Sequence, residues 1–520
     1  MSILPPLGLL AVVLLLIGAS LAFSRPGRRP ALVPPAAEAV AALSALLTLA
    51  GIVQFAMFGP LSVTIGQGPL AIGYRLDAIS AVMATLVGFV GWVVVRYART
   101  YLDGEAREGQ FHGLMLATLA AVLLLVQAGT LLVLLAAFVM VGIGLRHLLL
   151  FYPDRPEARR AAAKFTLVWG LGDAAVLVAT AGLWIAFGTT EFGALAQAAA
   201  TGLPPTAKIA VGFLVIAALL KTAAFPLHGW LTEVMEAPTP VSALLHAGII
   251  NGGGFLLIRL ADVVQASPGA MAALVMLGGL TALFGAVVML TQSAVKTALA
   301  WSTVAQMGFM ILQCGLGLWT LALLHIVAHS LYKAHAFLAS GTAVEAVNAI
   351  RKPGPVAVPG LGAVGRSFAL AITLYALVAT GFSVLAGAKS AQALALGAML
   401  VFGVAYLVAQ GMAGAAPAAL TRRTLAASAV ATLAYFGFQA LAGALWGAAL
   451  PPPPAPGALE WALIVLAVGS FGLVAFAQAL FPLWAHHPAS AGLRVHLANG
   501  LYLNALLDRL IGGFRTAKPL

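Results

Sequence analysis

Residues 219–254 read LLKTAAFPLHGWLTEVMEAPTPVSALLHAGIINGGG, and the order of charge, proline and glycine in this stretch decides the fold. Lys221 lies inside an apolar run that begins near residue 207 and is long enough to span a bilayer. An ionisable side chain is expensive there unless it faces protein or water. Five residues on, Pro226 has no N–H to give the carbonyl of Thr222, which leaves polar backbone beside the amine. A broken helix beside a buried amine predicts a hydrated cavity within a helical membrane protein. An amine desolvated there can exchange protons near neutrality, whereas a guanidinium cannot. Glu233, Glu236, Pro238 and Pro240 then turn into a second apolar run whose His246 and Asn251 continue the polar path. The competing readings are a snorkelling Lys221 and a merely solvated loop for His228 and the two glutamates.

The whole chain agrees with a lipid solvent. Its 520 residues include 27 Lys and Arg and 15 Asp and Glu, so 8% are charged, against roughly 25% in a soluble domain. Hydrophobic residues make up 62%. About fifteen apolar runs follow one another, which predicts an all-α polytopic membrane protein of about 13–15 transmembrane helices. Threaded up and down, the runs place most cations on one side, while the other carries only Arg75, Lys208, Arg259 and Lys389. The positive-inside rule then puts the N-terminus outside and the tail in the cytoplasm, so the net charge of +12 says nothing about nucleic acid. The single Cys314 excludes a disulfide framework or a cysteine metal site within this chain. Two connectors stand out, RKPGPVAVPG at 351–360 and a stiff PPPPAP at 451–456. The stretch RVHLANGLYLNALLDRLIGGF from Arg494 reads as an amphipathic helix that either lies on the membrane or docks a cytoplasmic partner.

Two further clusters place polar groups inside lipid. In LALLHIVAHSLYKAHAFLASG, residues 321–341, His325, His329 and Lys333 recur at i, i+4 and i+8 and so stack along one helix face. Three groups about 6 Å apart along an axis make a proton wire once water fills the gaps. Hydrogen-bonded core histidines are the plainer reading, and a zinc site is weaker because no acidic ligand follows closely and Lys333 repels a cation. In TQSAVKTALAWSTVAQMGFM, residues 291–310, the polar Ser302, Thr303 and Gln306 read on their own as glue between helices.

KTAAFPLHGWL, APTPVSALLHA, QSAVKTALAWSTVAQMGFM and HIVAHSLYKAHAFLASG together resemble, in order and spacing over about residues 75 to 345, the antiporter-like proton-translocating membrane subunits of respiratory complex I, of the subunit L and chain 5 type, and of multisubunit cation/proton antiporters. The resemblance implies two inverted five-helix repeats with broken helices, and proton-carrying roles for Lys221, His246, His325, His329 and Lys333. Lys164 and Asp173 match the K…GD spacing of that family; Pro226, His228, Glu233, Asn251, Lys296 and Gln306 are expected to support the path. Expected segments are N-terminal helices over 1–110, repeats over 111–265 and 266–415, C-terminal helices over 416–484 and a tail over 485–520.

Departures from the family are equally informative. The fifth run, TLLVLLAAFVMVGIGLRHLLLFY at 130–152, lacks the acid that pairs with the lysine in that family, so the ion pair is missing or rebuilt. Arg146 and His147 stand at its cytoplasmic end, Ala294 replaces an aspartate ahead of Lys296, and the last third has only Lys389 as a weak lysine candidate. The segments TEVMEAPTPVSALLHAGIINGGGFLLIRL and VHLANGLYLNALLDRL are similar to the membrane subunits of DAB-type inorganic-carbon accumulation complexes of bacteria. That likeness implies a non-enzymatic, energy-coupling subunit of the inner membrane that admits protons. It also implies a cytoplasmic partner resembling a β-carbonic anhydrase, which holds the zinc and hydrates CO2 to bicarbonate, with no cofactor in this chain. A complex I or cation/proton antiporter subunit is the alternative.

Overall fold

The computed structural model describes residues 6–342, 360–411, 418–484 and 487–510, so all but the last residue of the 351–360 connector lies outside the described residues. Each apolar run of the sequence is helical over most of its described residues. Twelve helices among the described residues are long and apolar enough to cross a membrane, and Leu7–Phe23 and Ala391–Gly403 are shorter apolar ones. Pro205–Lys221 completes the series. In order they are α1 (Leu7–Phe23), α2 (Val33–Phe58), α3 (Ala78–Tyr101), α4 (Glu108–Val126), α5 (Leu131–Leu149), α6 (Pro156–Phe187), a short α7 (Phe192–Ala199) and α8 (Pro205–Lys221). There follow α9 (Gly229–Thr232), α10 (Thr239–Ala247), α11 (Gly252–Arg259), α12 (Ala261–Gln265), α13 (Pro268–Met289), α14 (Val295–Gly315) and α15 (Trp319–Leu338). The last third holds α16 (Leu361–Ala386), α17 (Ala391–Gly411), α18 (Ala418–Trp446) and α19 (Ala458–Ala479), then the tail helices α20 (Ala491–Ala498) and α21 (Leu503–Leu510).

Spans α4, α5, α6, α8 and α10–α11 form one series of five, and α13 to α17 the next. Because five is odd, the second series starts from the opposite membrane face, and this makes the repeats inverted. Among the described residues, the breaks fall in the first series. Helix α8 stops at Lys221, earlier than the proline alone requires: Ala223 takes a left-handed φ of 49° and the Ala224 N–H donates to Leu219 O at 3.0 Å. The carbonyl left over is that of Leu220, and it accepts from Trp230 Nε1 at 3.2 Å. A second break, which periodicity did not foretell, splits the next span at Gly248 into α10 and α11.

The glycine triplet after that break has a packing cause. A Cβ on Gly252 would press on Phe138 of α5, one on Gly253 would clash with the Ala218 carbonyl of α8, and one on Gly254 with Met310 of α14. Only glycine lets α11 touch three helices at once. Helix α6 starts eight residues before its apolar run, with Pro156 in its first turn, so Arg159, Arg160 and Lys164 are helical rather than in a loop.

On the face away from the arginine-rich loops, an unforeseen antiparallel hairpin pairs Leu61–Ile65 with Ile72–Leu76, turned by Gly66 and Gly68 at φ +84° and +70°. The PPPPAP connector lies on the same face. Pro452 O accepts from Gln265 Nε2 at 2.9 Å and Pro454 O from Gln392 Nε2 at 2.6 Å, so it is pinned as well as stiff.

Candidate functional site

Lys221 is fully buried at the end of α8. Its Nζ donates to Asp173 Oδ1 of α6 at 2.6 Å. The ammonium also lies 4.0 Å from the Trp169 ring centroid and 4.3 Å from that of Phe138, a cation–π arrangement strengthened by desolvation. The ion pair that the fifth helix lacks is therefore rebuilt: α5 offers the ring of Phe138, and the carboxylate comes from α6. Gly172, next to that carboxylate, gives the lysine room, since a Cβ there would lie 3.2 Å from Lys221 Cγ.

The second cluster joins α10, α14 and α15. His329 Nδ1 lies 2.7 Å from Gln306 Oε1, and its Nε2 lies 3.0 Å from the His246 carbonyl. Both partners accept as placed, an arrangement that suits the protonated ring, and turning the Gln306 amide over suits the neutral one. His325 Nδ1 makes the matching contact with Gln313 Oε1 at 2.9 Å. Lys333 is fully buried, donating to Ser302 Oγ at 2.7 Å and to Leu299 O at 3.0 Å, and no carboxylate among the described residues lies within ion-pair distance of it. His246 bonds Thr303 Oγ1 at 3.1 Å through Nδ1 and stacks on Phe337, while its Nε2 has no protein partner among the described residues. Asn251 donates to Ser330 Oγ and Ala247 O, and its unpartnered Oδ1 borders a 20 Å³ cavity, room for about one water. Tyr332 and His335, the neighbours of Lys333 in the same stretch, point outward.

At the face bearing the arginine-rich loops, Lys164 Nζ donates to Glu233 Oε1 at 2.8 Å, so these two expected residues meet. His228 is buried beneath Trp301, 4.9 Å between ring centroids, and between Phe225 and Phe284. Lys296 opens α14 half-buried and joins none of these clusters. Ser302 and Thr303, read as glue, instead serve Lys333 and His246. Sequence reasoning missed Gln313, legible as a second glutamine two turns beyond Gln306 and facing an antiparallel His-x-x-x-His. It also missed Asn504 and Asp508, which reach the Lys164 cluster from the tail: the amphipathic segment folds back on its own chain rather than only facing lipid or a partner.

Fold and clusters together define a class, an antiporter-like, proton-translocating membrane subunit. Residues 128–416 match the family described as "NADH:quinone oxidoreductase/Mrp antiporter, TM", and residues 63–112 that described as "NADH-Ubiquinone oxidoreductase (complex I), chain 5 N-terminus". The chain belongs to this family, in its branch of inorganic carbon transporter subunits. It is 37% identical over 466 residues to the probable inorganic carbon transporter subunit DabB2 of Halothiobacillus neapolitanus, covering 88% of this chain and 83% of that one. It is 43% identical over 273 residues to a probable subunit DabB of Hydrogenovibrio crunogenus, 52% of this chain and 53% of that one. In fold it resembles a chain of the Mrp complex from Dietzia sp. DQ12-45-1b, with TM-score 0.66, 24% identity, and coverage of 97% of this chain and 59% of that one.

Proposed function

We propose that the chain is the proton-conducting, energy-coupling subunit of an inorganic-carbon uptake complex in a bacterial cell membrane, its N-terminus outside and its tail in the cytoplasm. Protons enter along His325, His329 and Lys333, pass by His246 and Asn251 to the Lys221–Asp173 pair, and leave past His228, Lys164 and Glu233. The observation that carries this reading is the Lys221–Asp173 pair at the end of a broken helix. A desolvated lysine with a single carboxylate can hand over a proton with little change of net charge, which a buried site tolerates. The names of the relatives support inorganic carbon as the cargo, and the family membership supports the proton as the ion.

A cytoplasmic zinc subunit resembling a β-carbonic anhydrase completes the proposal. It would hydrate CO2 to bicarbonate and a proton, and proton flow through this chain would keep that reaction running one way. With a single buried cysteine here, the zinc ligands belong to the partner. The test is growth in air of a host without carbonic anhydrase, rescued by the intact complex and lost on adding an uncoupler. Lys221→Ala and His329→Ala abolish rescue while the complex still assembles; full rescue by the double variant sinks the proton path. A purified complex lacking zinc removes the carbonic-anhydrase partner.

A further inference from the structure

The tail closes the mouth of the path. An ammonium has three N–H donors, and those of Lys164 meet three oxygens: Glu233 Oε1 at 2.8 Å, Asn504 Oδ1 at 2.7 Å and Asp508 Oδ1 at 2.7 Å. Two of the three come from α21. In the same helix Asn504 Nδ2 donates to Glu233 and Asp508 Oδ2 accepts from Arg160. Asp508 is the only buried residue of α21, and Leu503 packs against the core. Ahead of α21, the Ala498 carbonyl accepts from Gln292 Nε2 at 3.2 Å, and Gly500 lies against Trp301, the ring that covers His228. Residues 498–508 thus bridge the first repeat to the second across one point.

We infer that α21 is a lid on the proton path, with Asn504 and Asp508 as positioning residues that hold Lys164 closed. The inference rests on the path proposed above and adds its gate. A lysine whose three donors are all engaged, and which is 4% exposed, gives solvent almost no access to its protons. Lifting α21 frees two donors, uncovers Glu233 and opens His228 toward solvent. The hinge is built into the chain: Gly500, Leu501 and Tyr502 all hold left-handed φ, from 56° to 57°, a conformation that costs the two non-glycine residues energy and is held only by what surrounds it. Ion pairs rather than a deep apolar seam fix the helix, since Leu506 and Leu510 are exposed. Such a contact is removable, as a gate must be.

Proteoliposomes of the full chain under an imposed pH gradient, read with a pH-sensitive dye, test this. Asn504→Ala with Asp508→Ala removes four charge-assisted contacts and raises passive proton leak at least about tenfold, the population shift that losing even one of them gives, whereas Asp508→Glu keeps the wild-type leak. Gly229→Ala displaces the Asn504 side chain from Lys164 without altering a charge, because its methyl would overlap that side chain, and raises the leak in the same direction. Amide exchange over residues 503–510 reports whether the helix has lifted. A lifted helix with wild-type leak overturns the lid. Adding Lys221→Ala to the lifted chain stops the leak; a leak that survives marks a failure of the Lys221 path and not of the lid.

Discussion

Lys221 and Lys333 are both fully buried amines on membrane helices, yet their surroundings are opposites. Lys221 ends a helix, meets a carboxylate and lies between two aromatic rings. Lys333 sits within a continuous helix and meets only a hydroxyl and a carbonyl, with His329 and His325 along the same face meeting glutamines. The first site balances its charge internally. The second carries one positive charge for every proton it holds. A single polypeptide thus contains a paired site, which can store a proton at fixed charge, and an unpaired one, whose occupancy its neighbours feel electrostatically.

The widest separation between the two should appear on removing each amine. Lys221→Met strands Asp173 as an uncompensated, half-buried carboxylate and costs about 3 kcal/mol of stability. Lys333→Met strands only Ser302 and a carbonyl, and costs about 1–3 kcal/mol at most. Melting of the purified protein in detergent measures both. Adding Asp173→Leu to Lys221→Met recovers most of the loss without restoring transport. Equal losses at the two lysines would mean that Lys333 has an anion too, and the comparison would fail.

A second prediction gives the unpaired site the anion it lacks. His329 has carbonyl oxygens on both ring nitrogens, and only the Gln306 amide can turn over to suit the neutral ring. Gln306→Glu removes that freedom, because a carboxylate accepts in either orientation, and holds the proton on His329. Uptake falls about tenfold, equivalent to about 1.4 kcal/mol on the barrier, while melting temperature holds or rises. Gln306→Leu lowers both. A Gln306→Glu chain that transports at the wild-type rate would show that the amide plays no part in proton release.

Why one site was more legible than the other follows from their geometry. The histidine face could be read because helical periodicity alone aligns residues four apart, and α15 realises it. The Lys221 break was legible from Pro226, although the backbone leaves the helix at Lys221 itself, where Trp230 takes the freed Leu220 carbonyl. The partner of Lys221 was not. Asp173 lies 48 residues earlier, and nothing local says that α6 and not α5 supplies the carboxylate. Asn504 and Asp508 were still less visible, lying about 340 residues from Lys164, in a segment whose leucine spacing fits lipid, a partner or its own chain equally well. Periodicity reports which face of a helix is polar; it does not report what that face meets.

The smallest effect comes from a third carboxylate, which tests whether a buried ion pair suffices for a working site. Asp77 caps the start of α3, and its Oδ2 accepts from Arg259 Nη1 at 2.6 Å and Arg75 Nε at 2.7 Å while Oδ1 accepts the Ser80 N–H at 2.9 Å. Burial alone would raise this carboxyl, but the Arg259 guanidinium, the Ser80 N–H and Arg75 outweigh it and hold Asp77 well below the usual carboxylate range. A carboxylate depressed in the folded state stabilises above its unfolded pKa of about 3.9 and loses that contribution as the pH falls through the folded value. Stability from this pair is therefore flat from pH 8 to about pH 5 and declines only in stronger acid. Asp77→Asn abolishes the acid-dependent part, which melting curves carried from pH 8 to below about pH 4 resolve, and leaves the proton leak and its pH profile unchanged. The reason is chemical: the partner is arginine, which keeps its proton at every pH a cell meets, so this pair can fasten the hairpin to α3 and α11 but cannot relay. A change in proton flux in Asp77→Asn would extend the path to this face and make burial, rather than the lysine, the property that the two inner sites share.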